Sequence, residues 1–554
     1  MRKLLQITYD DQDVDILLEG IERLKQKYGT RLNASKEQLS HEDVVLIVYG
    51  DQLTDADEKP LSTLHHFLND RVKGVINGVH ILPFYPYTSD DGFSVTDYYE
   101  VNHELGAWDD IKKLSEDYKL MFDAVINHMS KSSNWFQAFL SGEDEFQDYF
   151  IEVDATRDWS SVVRPRTTPL FHSFEDTKGN IKSIWTTFSE DQVDINYDSP
   201  RVFLHILDVL LYYISKGARM LRLDAIGFMI KEEKTKSIHL PQTHAVIKVM
   251  RKVIETLDSG VVLITETNVP HAENISYFGN GGDEAHMVYN FTLPPLLAYS
   301  ILKGDSKTLN QWAQSLSLPS DKVCFFNFTA SHDGVGLRPL DGILPVEELQ
   351  VLLESAEANE GLISYRTGPG GSKSPYEINC NFMSLLFGKE QDPALGVKRM
   401  ILTQAIKLAM PGVPAIYFHS LVGSLNFTDG VRQTGVNRTI NREKLNLGEL
   451  NNELDDTSSI RYQVYHRLYK LLEVRKKQIA FHPFGNFHFP EFGNELFGIQ
   501  RQYNDQKLLC IFNCQNDEIS VNLPTGQFFD LLNDQYVAEE LKLGAYGFTW
   551  LEHQ

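Results

Sequence analysis

Eight short apolar runs, each ending in polar residues, constrain the fold of this chain more than any other feature. They are VVLIVYGD (44–51), GVHILPFYP (78–86), LMFDAVINH (120–128), ARMLRLDAI (218–226), VVLITET (261–267), HMVYNFTLP (286–294), VCFFNFTASHD (323–333) and VPAIYFHS (413–420). Runs this short and this rich in Val, Ile and Phe fit strands buried on both faces of a parallel sheet. Helical patterns at 201–216, 243–257 and 396–409 lie between several of them. Eight strand–helix units predict an α/β fold of the (β/α)8 TIM-barrel type. The competing arrangement of the same pattern is an open, doubly wound sheet.

The remaining segments attach to that frame. Residues 13–40 read as helical, with Ile16, Leu17, Ile21 and Leu24 at helical spacing, so 1–42 is expected to be an N-terminal helical segment. The barrel is expected to occupy 43–128 and 201–474. Residues 129–200 are too long for a simple connection and carry NWFQAF, DYFIEV and RDWSSV, which predicts an inserted subdomain after the third strand. A second excursion, 335–400, contains TGPGGSKSP (367–375), expected to be a mobile Gly-rich loop. From 475 to 554 short alternating runs such as LFGIQRQY and KLLCIFNC predict a small C-terminal antiparallel β domain.

Composition narrows the partners. A net charge of −24 over 554 residues argues against nucleic acid and against an anionic membrane surface. No run of about 18 apolar residues suggests a membrane span, and MRKLLQITYDDQDVD has too short an apolar stretch for a signal peptide. The four cysteines, Cys324, Cys380, Cys510 and Cys514, show no metal-ligand spacing and read as reduced, buried thiols. The expectation is a cytoplasmic protein with no metal and no cofactor, monomeric or homodimeric.

The stretch GARMLRLDAIGF (217–228) places Arg222 and Asp224 inside an apolar run. Burying such charges is costly without a purpose. Two residues apart on a strand, they share one face. Glu266 ends the fifth run, His332-Asp333 the seventh and Asn127-His128 the third. The C-terminal strand ends of a barrel carry its active site. Taken alone, Arg222–Asp224 could be a buried ion pair and His128 a core histidine; converging from four strands, they read as a site. Three carboxylates and a guanidinium suit retaining cleavage of a glycoside: one acid attacks, a second with a raised pKa protonates the leaving oxygen, and a cation keeps the first ionised.

DAVINH, MLRLDAIGF, the glutamate of LITETN, and FTASHD resemble, in order and spacing, the four signature segments of the α-amylase superfamily, a likeness running over roughly 44–460. The resemblance implies Asp224 as nucleophile, Glu266 as general acid/base and Asp333 as transition-state stabiliser. It also implies that His128 and His332 bond glucosyl hydroxyls and that Arg222 orients Asp224. DDGFSVTDYYEVN (90–102), RTINREK (438–444), DQVDINYDSP (191–200) and LAMPGVPAIYF (408–418) resemble the sucrose phosphorylase branch. That likeness implies that Phe93 is an apolar platform under the sugar and that Asp90 and Arg442 pair around its 4-hydroxyl. Thr439 departs from the Asp of the branch's sucrose enzymes, while TNVPHAENISYFGNGGDEAHMVYNF (267–291), ASHDGVGLRPL (330–340) and GGSKSPYEINCNF (370–382) look most like the branch's glucosylglycerate phosphorylases. The implied reaction is reversible phosphorolysis of 2-O-α-D-glucosyl-D-glycerate to α-D-glucose 1-phosphate and D-glycerate, with inorganic phosphate as co-substrate. Arg366 and Lys373, beside the Gly-rich loop, are expected to help bind these anions. Phosphorylases of sucrose, sucrose 6′-phosphate or glucosylglycerol, and an α-glucosidase or transglucosidase, remain alternatives.

Overall fold

A computed structural model describes residues 1–30, 32, 39–154, 156–166, 168–367 and 373–554. The eight apolar runs form the eight strands of a closed barrel: β1 (Val45–Val48), β2 (Gly78–Ile81), β3 (Lys119–Ala124), β4 (Ala218–Leu223), β5 (Val262–Thr265), β6 (Met287–Tyr289), β7 (Cys324–Asn327) and β8 (Val413–Tyr417). They follow one another around the barrel in chain order, and β8 closes on β1. Every barrel pairing is parallel. Parallel strands need long crossovers, and the helices that supply them cover the barrel. Helix Pro200–Ser215 shows how the sequence sets one: Pro200 supplies a fixed φ at the first helical position, and the Ser199 hydroxyl accepts from the Val202 N–H.

The N-terminal helix spans Asp11–Gly29, shorter than the helical reading of 13–40; Leu39 and Ser40 lie outside any helix. Leu17 and Ile21 are buried but Ile16 is exposed, because it sits about 100° round the helix from Leu17. Between β3 and β4 the chain builds two small antiparallel sheets, His128–Ser130 with Gln192–Asp194 and Phe171–Glu175 with Ile181–Trp185. After β7, a three-stranded sheet sets Val335–Gly336 and Leu362–Thr367 on either side of Lys373–Asn379. Residues 368–372 of the expected Gly-rich loop lie outside the described residues. The C-terminal segment forms a six-stranded antiparallel sheet from Asn486 onward, with a two-stranded partner of Ile519–Asn522 and Glu540–Leu543.

Candidate active site

Strand register brings the charges together. Asp123 on β3 and Ile264 on β5 flank Arg222 on β4. Arg222 is 2% exposed, bonds the Asp123 carboxylate, and donates through Nη1 to Asp224 Oδ1 at 2.9 Å. Its guanidinium also lies 5.6 Å from the Phe93 ring centre and 5.5 Å from that of Tyr289. Behind it, His80 Nε2 meets Asp123 Oδ2 at 2.6 Å, both residues fully buried. Burial opposes the Arg222 charge, but Asp123, Tyr289, Asp224 and Glu266 hold it protonated. Burial likewise works against ionised Asp123, yet Arg222 and His80 hold its carboxyl at about 2. The charged pair in the middle of a strand is therefore neutralised as a row, His80–Asp123–Arg222–Asp224.

The two carboxyls facing this row differ. Burial pushes Glu266 up to about 7, with Asp224 and Asp333 adding to the push against Arg222. Burial raises Asp224 too, opposed by Arg222 and His128. Arg222 is 2.9 Å from Asp224 but 3.8 Å from Glu266, so the shared negative charge settles on Asp224 and the proton on Glu266. A left-handed residue, Ala225 (φ +50), turns the chain after Asp224 and donates its N–H to Glu266 Oε2 at 3.2 Å. Burial would raise Asp333, but Arg438, with Arg442 and Arg222, more than offsets it and holds the carboxyl well below the usual range.

Aromatic and polar groups complete one end of the pocket. Phe93 stacks on His332 with centroids 4.7 Å apart and planes 7° from parallel. Burial, reinforced by Arg442 and Arg222, keeps His332 neutral. His128 Nε2 lies 2.9 Å from the Phe93 carbonyl and 3.2 Å from Gln192 Nε2. Asp90 Oδ2 accepts from Gln192 at 3.4 Å. Arg442 donates to the His332 carbonyl at 2.8 Å and lies between two acids, Asp91 at 2.6 Å and Asp90 at 4.0 Å. Asp90, Asp91 and Gly92 all have positive φ, which aims the two acids in different directions.

These side chains line one open pocket of about 790 Å³ that holds Asp90, Phe93, His128, Asp224, Glu266, His332 and Asp333. Arg366 and Lys373 do not reach it. Arg366 donates to Ser374 at 3.1 Å and lies 3.6 Å from Asp341, and Lys373 is exposed. Both belong to paired strands of the sheet after β7, Arg366 opposite Ser374 and Lys373 opposite Thr367. The pocket's cations are instead Arg166, Arg338 and Arg438. Sequence reasoning assigned no role to Asp123, His80, Gln192, Arg166 or Arg338. Asp123 carried the same signal as Arg222, a charge inside an apolar run; the arginines lie in loops and carry no periodic signal. Among the described residues, no group of three or more His, Cys, Asp or Glu side chains is placed to hold a metal.

A closed parallel barrel with acids of contrasting protonation at its C-terminal strand ends defines a barrel enzyme working with paired carboxylates. The chain belongs to the alpha-amylase family, whose catalytic-domain model matches residues 72–333. It is 44% identical to the glucosylglycerate phosphorylase of Spirochaeta thermophila over 98% of this chain and 94% of that one. It is also 44% identical to the glucosylglycerate phosphorylase of Escherichia coli, over 95% and 96% of the two chains. In fold it resembles the sucrose 6F-phosphate phosphorylase of Thermoanaerobacter thermosaccharolyticum, with a TM-score of 0.77 and 23% identity over 93% of this chain and all of that one.

Proposed function

We propose that this protein is a retaining α-glucoside phosphorylase that converts 2-O-α-D-glucosyl-D-glycerate and inorganic phosphate into α-D-glucose 1-phosphate and D-glycerate. The observation that carries the reading is 44% identity along nearly the whole chain to glucosylglycerate phosphorylases. The acids at the strand ends suit the chemistry. Ionised Asp224 attacks C1 of the glucosyl unit as the bond from C1 to the glycerate oxygen breaks, and protonated Glu266 gives its proton to that oxygen. D-Glycerate leaves. A phosphate oxygen then attacks C1 from the vacated side, Asp224 departs, and the phosphate proton returns to Glu266. Two inversions leave the product α.

The other residues follow from their positions. Asp333, held ionised by Arg438, faces the carbon that gains positive charge. Phe93, His128, His332 and Asp90 line the pocket around the glucosyl unit, Arg442 backs them from the His332 carbonyl, and Arg222 keeps Asp224 charged. Arg166 and Arg338 bring cations into a pocket also lined by carboxyls, which favours phosphate over water at the glucosyl-enzyme stage. All bonds and protons balance among Asp224, Glu266, substrate and phosphate. The four buried, unpaired cysteines fit a cytoplasmic enzyme.

The test offers glucosylglycerate, glucosylglycerol and sucrose in parallel, with and without phosphate, and separates glucose 1-phosphate from free glucose. Phosphate-dependent glucose 1-phosphate from glucosylglycerate, well above that from the other two, is the expected result. Glucose 1-phosphate mainly from sucrose or glucosylglycerol would replace the acceptor, and free glucose independent of phosphate would make the enzyme a hydrolase.

A further inference from the structure

The leaving group of a glycoside must lie beyond the acid that protonates it, so the residues following Glu266 mark the acceptor end of the pocket. Thr267, Asn268 and Val269 line the pocket there, together with Arg338 and Tyr376 from the sheet after β7. Arg338 opens a short 3-10 turn five residues after Asp333. Its segment is tied to the neighbouring hairpin by Val335–Gly336 pairing with Glu377–Ile378 and by the Leu337 N–H donating to the Tyr376 carbonyl at 2.9 Å. The Asn268 amide packs flat on Gly336, where a Cβ would fall 2.7 Å from its nitrogen, so glycine there makes the room.

The charges at this end are unlike those elsewhere in the site. Arg222, Arg438 and Arg442 each meet a carboxylate of the protein. The Arg338 side chain forms no hydrogen bond or ion pair with any described residue, and its Nε is buried without a partner among them. Asn268 Oδ1 is likewise buried and without a partner among the described residues. A half-buried guanidinium with no partner among the described residues lines the same pocket as Asn268, in a chain of net charge −24, and so can meet a ligand that brings an anion and a hydroxyl. Guanidinium matches a planar carboxylate through two parallel hydrogen bonds.

We infer that Arg338 and Asn268 form the subsite that selects the acceptor, Arg338 holding its carboxylate and Asn268 one of its hydroxyls. The inference rests on the phosphorylase reading above and adds the residues that make the enzyme prefer an acid to a neutral polyol. A site built around an unpaired cation rejects an acceptor that leaves it unpaired.

The test runs the reaction in the synthetic direction, with α-glucose 1-phosphate as donor and D-glycerate or glycerol as acceptor, for the wild type, Arg338→Gln and Asn268→Ala. In Arg338→Gln the KM for D-glycerate should rise on the order of 100-fold while the KM for glucose 1-phosphate moves only a few-fold, so that the preference for glycerate over glycerol collapses. Asn268→Ala should raise both acceptor KM values by about 10-fold, since the hydroxyl it holds is common to both. An unchanged glycerate KM in Arg338→Gln would overturn the assignment. So would a rise in the glucose 1-phosphate KM that equals the rise for glycerate, which would make Arg338 a phosphate ligand. If Arg338→Gln does not fold, Arg338→Lys should show the same ordering at about 10-fold, because a point charge replaces the fork; wild-type behaviour in that variant would sink the proposal. A wild type that glucosylates glycerol or fructose but not D-glycerate would sink the functional reading, and this one with it. A wild type that uses glycerate alongside a variant that uses it equally well would sink only the role of Arg338.

Discussion

At the scale of single residues, the site is a problem in where one proton sits. Glu266 is pushed up to about 7 because it is buried beside two other carboxyls, while Arg222 keeps the negative charge on Asp224. In the proposed mechanism glycosidic cleavage needs Glu266 protonated, so kcat/KM for glucosylglycerate should fall as pH rises through about 7. Glu266→Gln should lose that limb in a pH profile and slow poor leaving groups far more than activated ones; equal slowing of both would argue against an acid role. The same shift costs stability. The folded protein holds the Glu266 proton up to about 7 whereas the unfolded chain releases it near 4.5. The native state thus binds more protons in that window, and stability falls as pH rises through it. Glu266→Gln removes this ionisation, so its melting temperature should drop less between pH 5 and pH 8 than that of the wild type. Asp224, Glu266 and Asp333 were legible in the sequence because charges at the ends of apolar runs have no structural reason to be there. Arg338 was not, since an arginine in a loop is ordinarily a solvated one.

At the scale of elements, short irregular turns at the strand ends do the aiming. Asp90, Asp91 and Gly92 run through three consecutive left-handed conformations. Gly92 is needed twice over: its φ is +107°, and a Cβ would come 2.5 Å from the Pro83 carbonyl oxygen. Gly92→Ala should therefore cost about 1–3 kcal/mol in urea unfolding and raise the KM for glucosyl substrates, because Asp90 and the Phe93 platform follow the turn. The DDGF segment was visible in sequence, but its backbone was not, so nothing in it showed that Asp91 stands 2.6 Å from Arg442 and Asp90 4.0 Å. The hairpin 362–379 gives the reverse lesson. Arg366 and Lys373, clustered along the chain, are absent from the pocket lining, Arg366 meeting Ser374 and Asp341 instead, because which part of a hairpin meets a pocket is set by the strands it pairs with.

At the scale of the whole molecule, buried arginines join the C-terminal sheet to the barrel. Helix Pro393–Ala409 ends with its last carbonyls inside the protein, and Arg501 of the sheet donates to Ala409 at 2.9 Å and to Met410 at 2.8 Å. Arg475 donates to Leu408 at 3.0 Å. Cations at a helix C-terminus satisfy its free carbonyls and its dipole together. Arg501→Met should lower unfolding free energy by about 2–4 kcal/mol with kcat of the folded fraction unchanged, measured by urea titration and active-site-normalised turnover. The sequence by itself determined the barrel, because strands buried on both faces must be continuously apolar and only eight such runs exist, each followed by room for a crossover. It also marked the acids as a candidate site, because charges at the ends of four different apolar runs converge there at a cost that an isolated ion pair does not explain. The tertiary structure alone decided which neighbours each charge meets. Register set Asp123 against Arg222, the turn after β2 gave Arg442 to Asp91, and the sheet after β7 left Arg338 without a partner among the described residues. Those pairings depend on distances of a few ångströms between segments far apart in the chain, 99 residues for Asp123 and Arg222 and 351 for Asp91 and Arg442, and no local pattern encodes them.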